Sequence, residues 1–171
     1  MAVDITSVWR QRGPLAWALL PITAIFATLS ELRRQGFRSG WLKATRLPKP
    51  VLVVGNRIVG GAGKTPATIA ILQHLKAQGW HPGVLTRGYK AEASQHPRPL
   101  LLDASSQDQL TVQDTGDEPL LLWRRTHVPV MIDPQRARGG QALLERHPEI
   151  DILVCDDGLQ HYALHRDIEI C

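Results

Sequence analysis

At 171 residues, with 43% apolar and 21% charged side chains, the chain is long enough for one domain with a real core and too apolar for a disordered segment. Its formal net charge of +4 is unevenly spread: residues 1–50 carry eight Lys/Arg against two acids, and residues 51–171 carry twelve against fourteen. A basic leading segment on a near-neutral body argues against a general nucleic-acid binder and for a surface-binding segment joined to a catalytic body.

Leu15 to Leu29 reads LAWALLPITAIFATL. As a helix this run rises only about 22 Å, against a hydrocarbon core of roughly 30 Å. Pro21 is expected to kink or interrupt it. The run is therefore a poor membrane span. A secretory signal is a further possibility, since Arg10 and Arg12 precede it, but the loop at residues 55–66 belongs with cytosolic nucleotide. Two readings remain. Residues 9–46 form a helix lying at a membrane interface, with Trp9, Trp17 and Trp41 at headgroup level and Arg33, Arg34 and Arg38 on anionic phosphates. Otherwise the helix packs on the body with a solvated basic end. Leu47-Pro-Lys-Pro50 reads as a short extended link, so residues 1–47 form the leading segment and 48–171 the following domain.

In the body, Val51–Val54 is a short apolar run ending at Gly55, as expected of a buried parallel strand. Pro66 to Gln78 carries a helical stripe at Ile69, Ile71, Leu72 and Leu75, closed by Gly79. Further strands are predicted at Gly83–Thr86, Pro99–Leu102, Val128–Ile132, Ile150–Cys155 and Ile168–Cys171, with helices at Glu118–Arg125 and Gln135–Glu145. Glu92–Pro97 and Ser105–Asp114 read as polar loops. Cys155 and Cys171 form no C-x-x-C pair or metal spacing and read as small core residues in a reducing compartment. Alternating strands and helices imply an α/β fold: a mostly parallel, doubly wound sheet with flanking helices, of the P-loop NTPase kind.

Residues 55–66 read GNRIVGGAGKTP, a strand-to-helix loop close to G-x-x-x-x-G-K-[ST] but with Ile58 where the first glycine stands. Gly60, Gly61 and Gly63 let successive N–H groups point at phosphate oxygens. Lys64 would reach the β- and γ-phosphates, Thr65 would offer its hydroxyl to Mg²⁺, and the helix N-terminus adds a positive end. A second acidic element is expected at a strand end. Asp156 and Asp157 directly after an apolar run supply it; the alternative is two acids capping a turn before Gly158.

VVGNRIVGGAGKTP, LTRGY (85–89), TGDEP (115–119) and DDGLQH (156–161), in this order and spacing, resemble the tetraacyldisaccharide 4′-kinase (lipid A 4′-kinase) family from about residue 9 onward. The resemblance implies transfer of the γ-phosphate of ATP to the 4′-hydroxyl of a lipid A disaccharide precursor, at the cytoplasmic face of the bacterial inner membrane. It implies a membrane-associating N-terminal helix, matching residues 9–46. It sets the ATP phosphates along Ile58, Val59, Gly60, Gly61, Ala62, Gly63, Lys64 and Thr65, a catalytic acid at Asp117, and magnesium near Thr65, Asp156 and Asp157. Lys64 and Asp117 are thereby the candidate catalytic pair. By its residue type Asp117 suits an acceptor hydroxyl, since a carboxylate there orients the hydroxyl and takes its proton; Asp117-Glu118-Pro119 also reads as an acidic helix start. Arg87 falls at a strand's C-terminal end, facing ligand or serving as partner to Asp156 or Asp157, and His161 bonds locally or lines the acceptor pocket.

The family commonly has Ser or Thr where this chain has Ile58, and its members are roughly twice as long, their second half supplying a histidine that works with the catalytic aspartate. A chain ending within an apparent strand therefore reads as the N-terminal half of a longer protein. Competing readings are an ATP-dependent membrane switch, whose signature lysine is replaced here by Val59, and an ATP-binding fragment without turnover.

Overall fold

A computed structural model describes residues 13–56, 63–88, 98–159 and 161–171. The chain divides into two compact units, Met1–Lys43 and Ala44–Cys171. In the first, helix α1 spans Pro14–Arg38, with Gly13 as N-cap and proline in the first turn. It runs through Pro21 without interruption. Thr23 and Thr28, both C-terminal to the proline, donate their hydroxyls to the carbonyls of Leu19 and Ala24, four residues back, and the Thr23 bond spans the proline step. Trp17, Ile22, Ile25, Phe26, Leu29 and Leu32 are all exposed, Phe26 at 72%. Among the described residues no helix is long and apolar enough to cross a membrane; Glu31, Arg33 and Arg34 stand where the apolar run of α1 ends.

The second unit follows β1 Val51–Val54, α2 Lys64–Ala77, β2 Pro82–Thr86, β3 Leu100–Leu102, α3 Val112–Thr115, α4 Asp117–Thr126, β4 Val130–Ile132, α5 Arg136–Arg146, β5 Ile152–Asp156 and β6 Ile168–Ile170. The six strands form one sheet in the order β3-β4-β2-β5-β1-β6. All pairings are parallel except β3 with β4, where Leu101 faces Met131 in antiparallel register. An apolar run such as PLLL marks a strand but carries no direction, and an edge strand bonded on one side can enter either way. The polar stretch expected to be loop contains α3, capped by Thr111 and Asp114: the Thr111 N–H donates to the Asp114 carboxylate at 2.8 Å.

The sheet is doubly wound because its strands alternate. Leu52, Val54, Val84, Val130, Ile132 and Val154 pack on one face with Leu72 of α2 and Leu120 of α4. Val51, Val53, Leu85, Met131, Leu153 and Cys155 pack on the other with Leu143 of α5. Residues 44–47 join this body. Thr45 bridges to Leu164, and buried Leu47 lies against Gly140 of α5, where an added Cβ would clash with it.

Candidate functional site

The parallel strands β1, β2, β4 and β5 all end at one edge, where such sheets bind ligands. At that edge β1 leads toward α2 and β5 runs into Asp156 and Asp157. Residues 57–62, including Ile58, Val59, Gly60, Gly61 and Ala62, and Tyr89 lie outside the described residues. Gly63, with φ 76°, is the N-cap of α2, and Lys64 and Thr65 occupy the helix's first turn. No acid stands in that turn, so its orphan N–H groups and positive end are unopposed by the helix's own side chains.

Lys64 Nζ lies 2.8 Å from Asp157 Oδ1. This hydrogen bond, with the charges of Asp157, Asp156 and Glu118, holds the ammonium above its ordinary pKa against the opposing effect of burial. Four residues on, buried Thr68 donates its hydroxyl to Asp156 Oδ1 at 3.0 Å. Asp156 is only 3% exposed. Burial pushes its carboxyl above the usual range, and Glu118 and Asp157 add to this, while Thr68 and Lys64 oppose it. Parallel pairing of β1 with β5, Val54 opposite Asp156, carries the two acids to the start of α2.

Asp117 and Glu118 form the first turn of α4. Gly116 before them has φ 84° and ψ 162°, a region open essentially to glycine alone. Both acids are exposed. Glu118, read from sequence only as part of a helix start, acts electrostatically on both Lys64 and Asp156 and so belongs to the site. Thr68 was also missed, although its i+4 spacing from Lys64 puts it on the same helix face. Arg87, directly after β2, is exposed and makes no ion pair with Asp156 or Asp157 among the described residues; Asp156 accepts from Thr68 and Asp157 pairs with Lys64. His161 is half-buried, and its N–H closes the turn onto the Gly158 carbonyl at 3.0 Å.

The described residues hold no cluster of three or more His, Cys, Asp or Glu suited to a metal ion. A magnesium ion needs no such cage, since it is usually held by one or two carboxylates, waters and substrate phosphates. Asp156, Asp157 and the Thr65 hydroxyl are hard oxygen donors of that kind, so the donor chemistry fits.

A family model described as tetraacyldisaccharide-1-P 4′-kinase matches residues 15–171. The chain is 48% identical over its full length to a tetraacyldisaccharide 4′-kinase from Acidovorax sp. (strain JS42), covering 48% of that protein. It is 51% identical over 162 residues to one from Herminiimonas arsenicoxydans, covering 44% of it. The crystal structure of "apo" LpxK from Aquifex aeolicus in complex with ATP aligns with a TM-score of 0.80 and 33% identity, over 91% of this chain and 48% of that one. The chain thus spans about half the length of the curated relatives it matches.

Proposed function

Because the chain belongs to the tetraacyldisaccharide-1-P 4′-kinase family, we propose that it carries the nucleotide-binding part of an ATP-dependent kinase that phosphorylates the 4′-hydroxyl of a tetraacyldisaccharide 1-phosphate in lipid A synthesis. The observation that carries the reading is the convergence of Lys64 and Thr68, in the first turns of α2, with Asp157 and Asp156 at the end of β5. The glycine-rich segment before α2 and the ATP named in the related crystal structure support it.

Lys64 has three N–H donors, of which Asp157 takes one, leaving the others for phosphate oxygens. Asp157 thereby aims the ammonium before nucleotide arrives, lowering the cost of ordering it on binding. The N–H groups at the start of α2 face the same anion. Asp156, Asp157 and Thr65 would hold magnesium, which would supply positive charge to offset the charge developing during phosphoryl transfer. Asp117 accepts the proton of the 4′-hydroxyl and orients its oxygen for in-line attack, as its exposed position at the start of α4 allows. Arg87 and His161 remain candidates for contacts to the acceptor.

We further propose that α1 lies on the cytoplasmic face of the inner membrane, where the lipid acceptor is found. Its exposed Trp17, Ile22, Ile25, Phe26 and Leu29, followed by Arg33 and Arg34, are the pattern of an interfacial helix.

The test is incubation with labelled ATP and a tetraacyl disaccharide 1-phosphate. Label in the lipid that disappears with Asp117→Ala supports the kinase. The coverage of about half of the relatives favours a second reading, an ATP-binding portion that needs the remainder for turnover. In that case ATP binds and no lipid is labelled until the relatives' second half is supplied. Absence of ATP binding sinks both.

A further inference from the structure

The turn that carries the two acids has an improbable shape. Asp157 has φ 54°, a left-handed conformation uncommon outside glycine. Gly158 lies so close to the sheet that an added Cβ would sit 2.6 Å from Cys155 Sγ and 3.0 Å from Val53 Cγ1. Only part of this shape is held by neighbouring main chain, through the Asp157 N–H to Val54 O and the His161 N–H to Gly158 O, both at 3.0 Å.

Two guanidinium groups supply the rest. Arg166 Nη1 donates to the carbonyls of Leu159 at 2.9 Å and Gly158 at 3.3 Å. Its Nε is paired with Glu169 at 2.7 Å and its plane lies over the Tyr162 ring, so the fork has a fixed direction. Arg136, at the first position of α5 and 3% exposed, donates to the carbonyls of Asp133 at 2.7 Å and Asp156 at 3.4 Å. Besides these two carbonyls its guanidinium acts on the thiol of buried Cys155, and its Nε is buried without an acceptor. The carboxylate of neighbouring Asp133 is taken by Arg138. A buried arginine that ties the backbone just after β4 to the carbonyl at the end of β5 is suited to shaping the strand end.

We infer that Arg136 and Arg166 are positioning residues that hold the turn at 156–159 in the form that aims Asp156 at Thr68 and Asp157 at Lys64. The arginines act on carbonyl oxygens from outside the nucleotide site, so neither touches the reacting atoms. The inference rests on the reading of those acids as the phosphate and magnesium partners. Its test uses no nucleotide, so the two can fail separately.

Amide hydrogen exchange of the full chain reads the turn at Asp157 and His161, and reads the sheet at Leu153, bonded to Pro50 O, and Asp133, bonded to Thr86 O. In Arg166→Gln, the first two amides should exchange about tenfold faster while the second two keep parent rates, the size expected for losing charge-assisted bonds from a locally opening segment. The Asp157 carboxyl carbon resonance should also move toward its value in Lys64→Met, which reports the unpaired acid. Arg136→Lys should accelerate the Asp157 amide by the same comparison. Where Arg166→Gln does not fold, Arg166→Lys replaces it, with a smaller acceleration at the same two amides. Parent-like exchange at Asp157 and His161 overturns the inference. So does uniform acceleration across all four amides with an unmoved Asp157 resonance, because that pattern marks a merely structural role.

Discussion

Replacing Asp156 by asparagine separates what the site needs from what the fold prefers. Asparagine keeps the shape and an oxygen able to accept the Thr68 hydroxyl, while removing a charge from a position only 3% exposed. Two effects oppose each other. The mutation removes the penalty of burying a carboxylate near Glu118 and Asp157, and it also removes attraction to Lys64. Burial is the largest influence on this carboxyl and its pKa lies above the unfolded value, so the penalty exceeds the attraction. A gain of roughly 0.5–2 kcal/mol is expected, typical of relieving a functional group's strain. For a chain of this size that raises the melting temperature by about 1–8 °C. The sign with pH follows. The penalty is fully present above the raised folded-state pKa and is relieved as pH falls through it, so the advantage of Asp156→Asn is largest near neutrality and shrinks on acidification. Thermal unfolding from pH 7.5 downward measures this, and ATP binding with magnesium, followed in the same samples, should be weakened. An Asp156→Asn variant less stable than the parent at pH 7.5, or one whose advantage grows on acidification, refutes the reasoning. Thr68→Val is the complement: it strips the donor and leaves the charge, and should cost about 1.5–3 kcal/mol at pH 7.5.

Lys64→Met should weaken ATP binding roughly 10- to 100-fold through loss of a charge-assisted bond, read by equilibrium dialysis, with little change in circular dichroism. Gly116→Ala places a side chain at φ 84° and ψ 162°, and should cost about 1–3 kcal/mol in urea unfolding while displacing Asp117 and Glu118. At the far side of the sheet, Asp103 is opposed by burial yet held at about 2 by Ser105, His147 and Ser106. A lowered carboxyl stabilises fully above its unfolded value of 3.8 and loses that contribution as pH falls through about 2. The drop corresponds to about 2.5 kcal/mol at most, and roughly half that after solvent screening, so Asp103→Asn should lose about 1 kcal/mol at pH 7 and flatten the acid limb between pH 4 and 2.

The sheet was largely legible because a strand buried on both faces has to be a short apolar run, and VLVV and ILVC are such runs bounded by glycine or acid. Strand direction was not legible, since β3 takes its sense from β4 rather than from its own residues. The passage of α1 through Pro21 was hidden for a related reason: a proline's cost is local, while the turns on either side continue the helix. At the site, Lys64 and Asp157 could be named singly from their motifs. Their direct pairing, across 93 positions, comes only from the parallel register of β1 and β5. Glu118 lay further out of reach, because it acts through the fold on Lys64 and Asp156, both distant in sequence, while Arg166 bonds main-chain carbonyls only seven and eight positions back, contacts for which no motif stands.

The two readings of Asp156 and Asp157, as magnesium partners or as acids capping a turn, have different physical signatures. A capping acid gains by staying solvated and accepting N–H groups from its own turn. Asp157, 65% exposed, is consistent with either. Asp156 is not. It is buried, accepts from a helix hydroxyl 88 positions away, and carries a carboxyl pushed upward by that burial. For a turn, Asn or Ser would give the same hydrogen bond without burying charge. Cost gathers around it too, in the left-handed Asp157 and in the Arg136 Nε buried without an acceptor. Departures of this sort persist where surrounding structure over-determines them and something other than stability is being selected. Under the proposed function a carboxyl kept in a dry position near Lys64 at the start of α2 has a use, holding a cation against its phosphates, and the magnesium reading is the one in which that cost is explained.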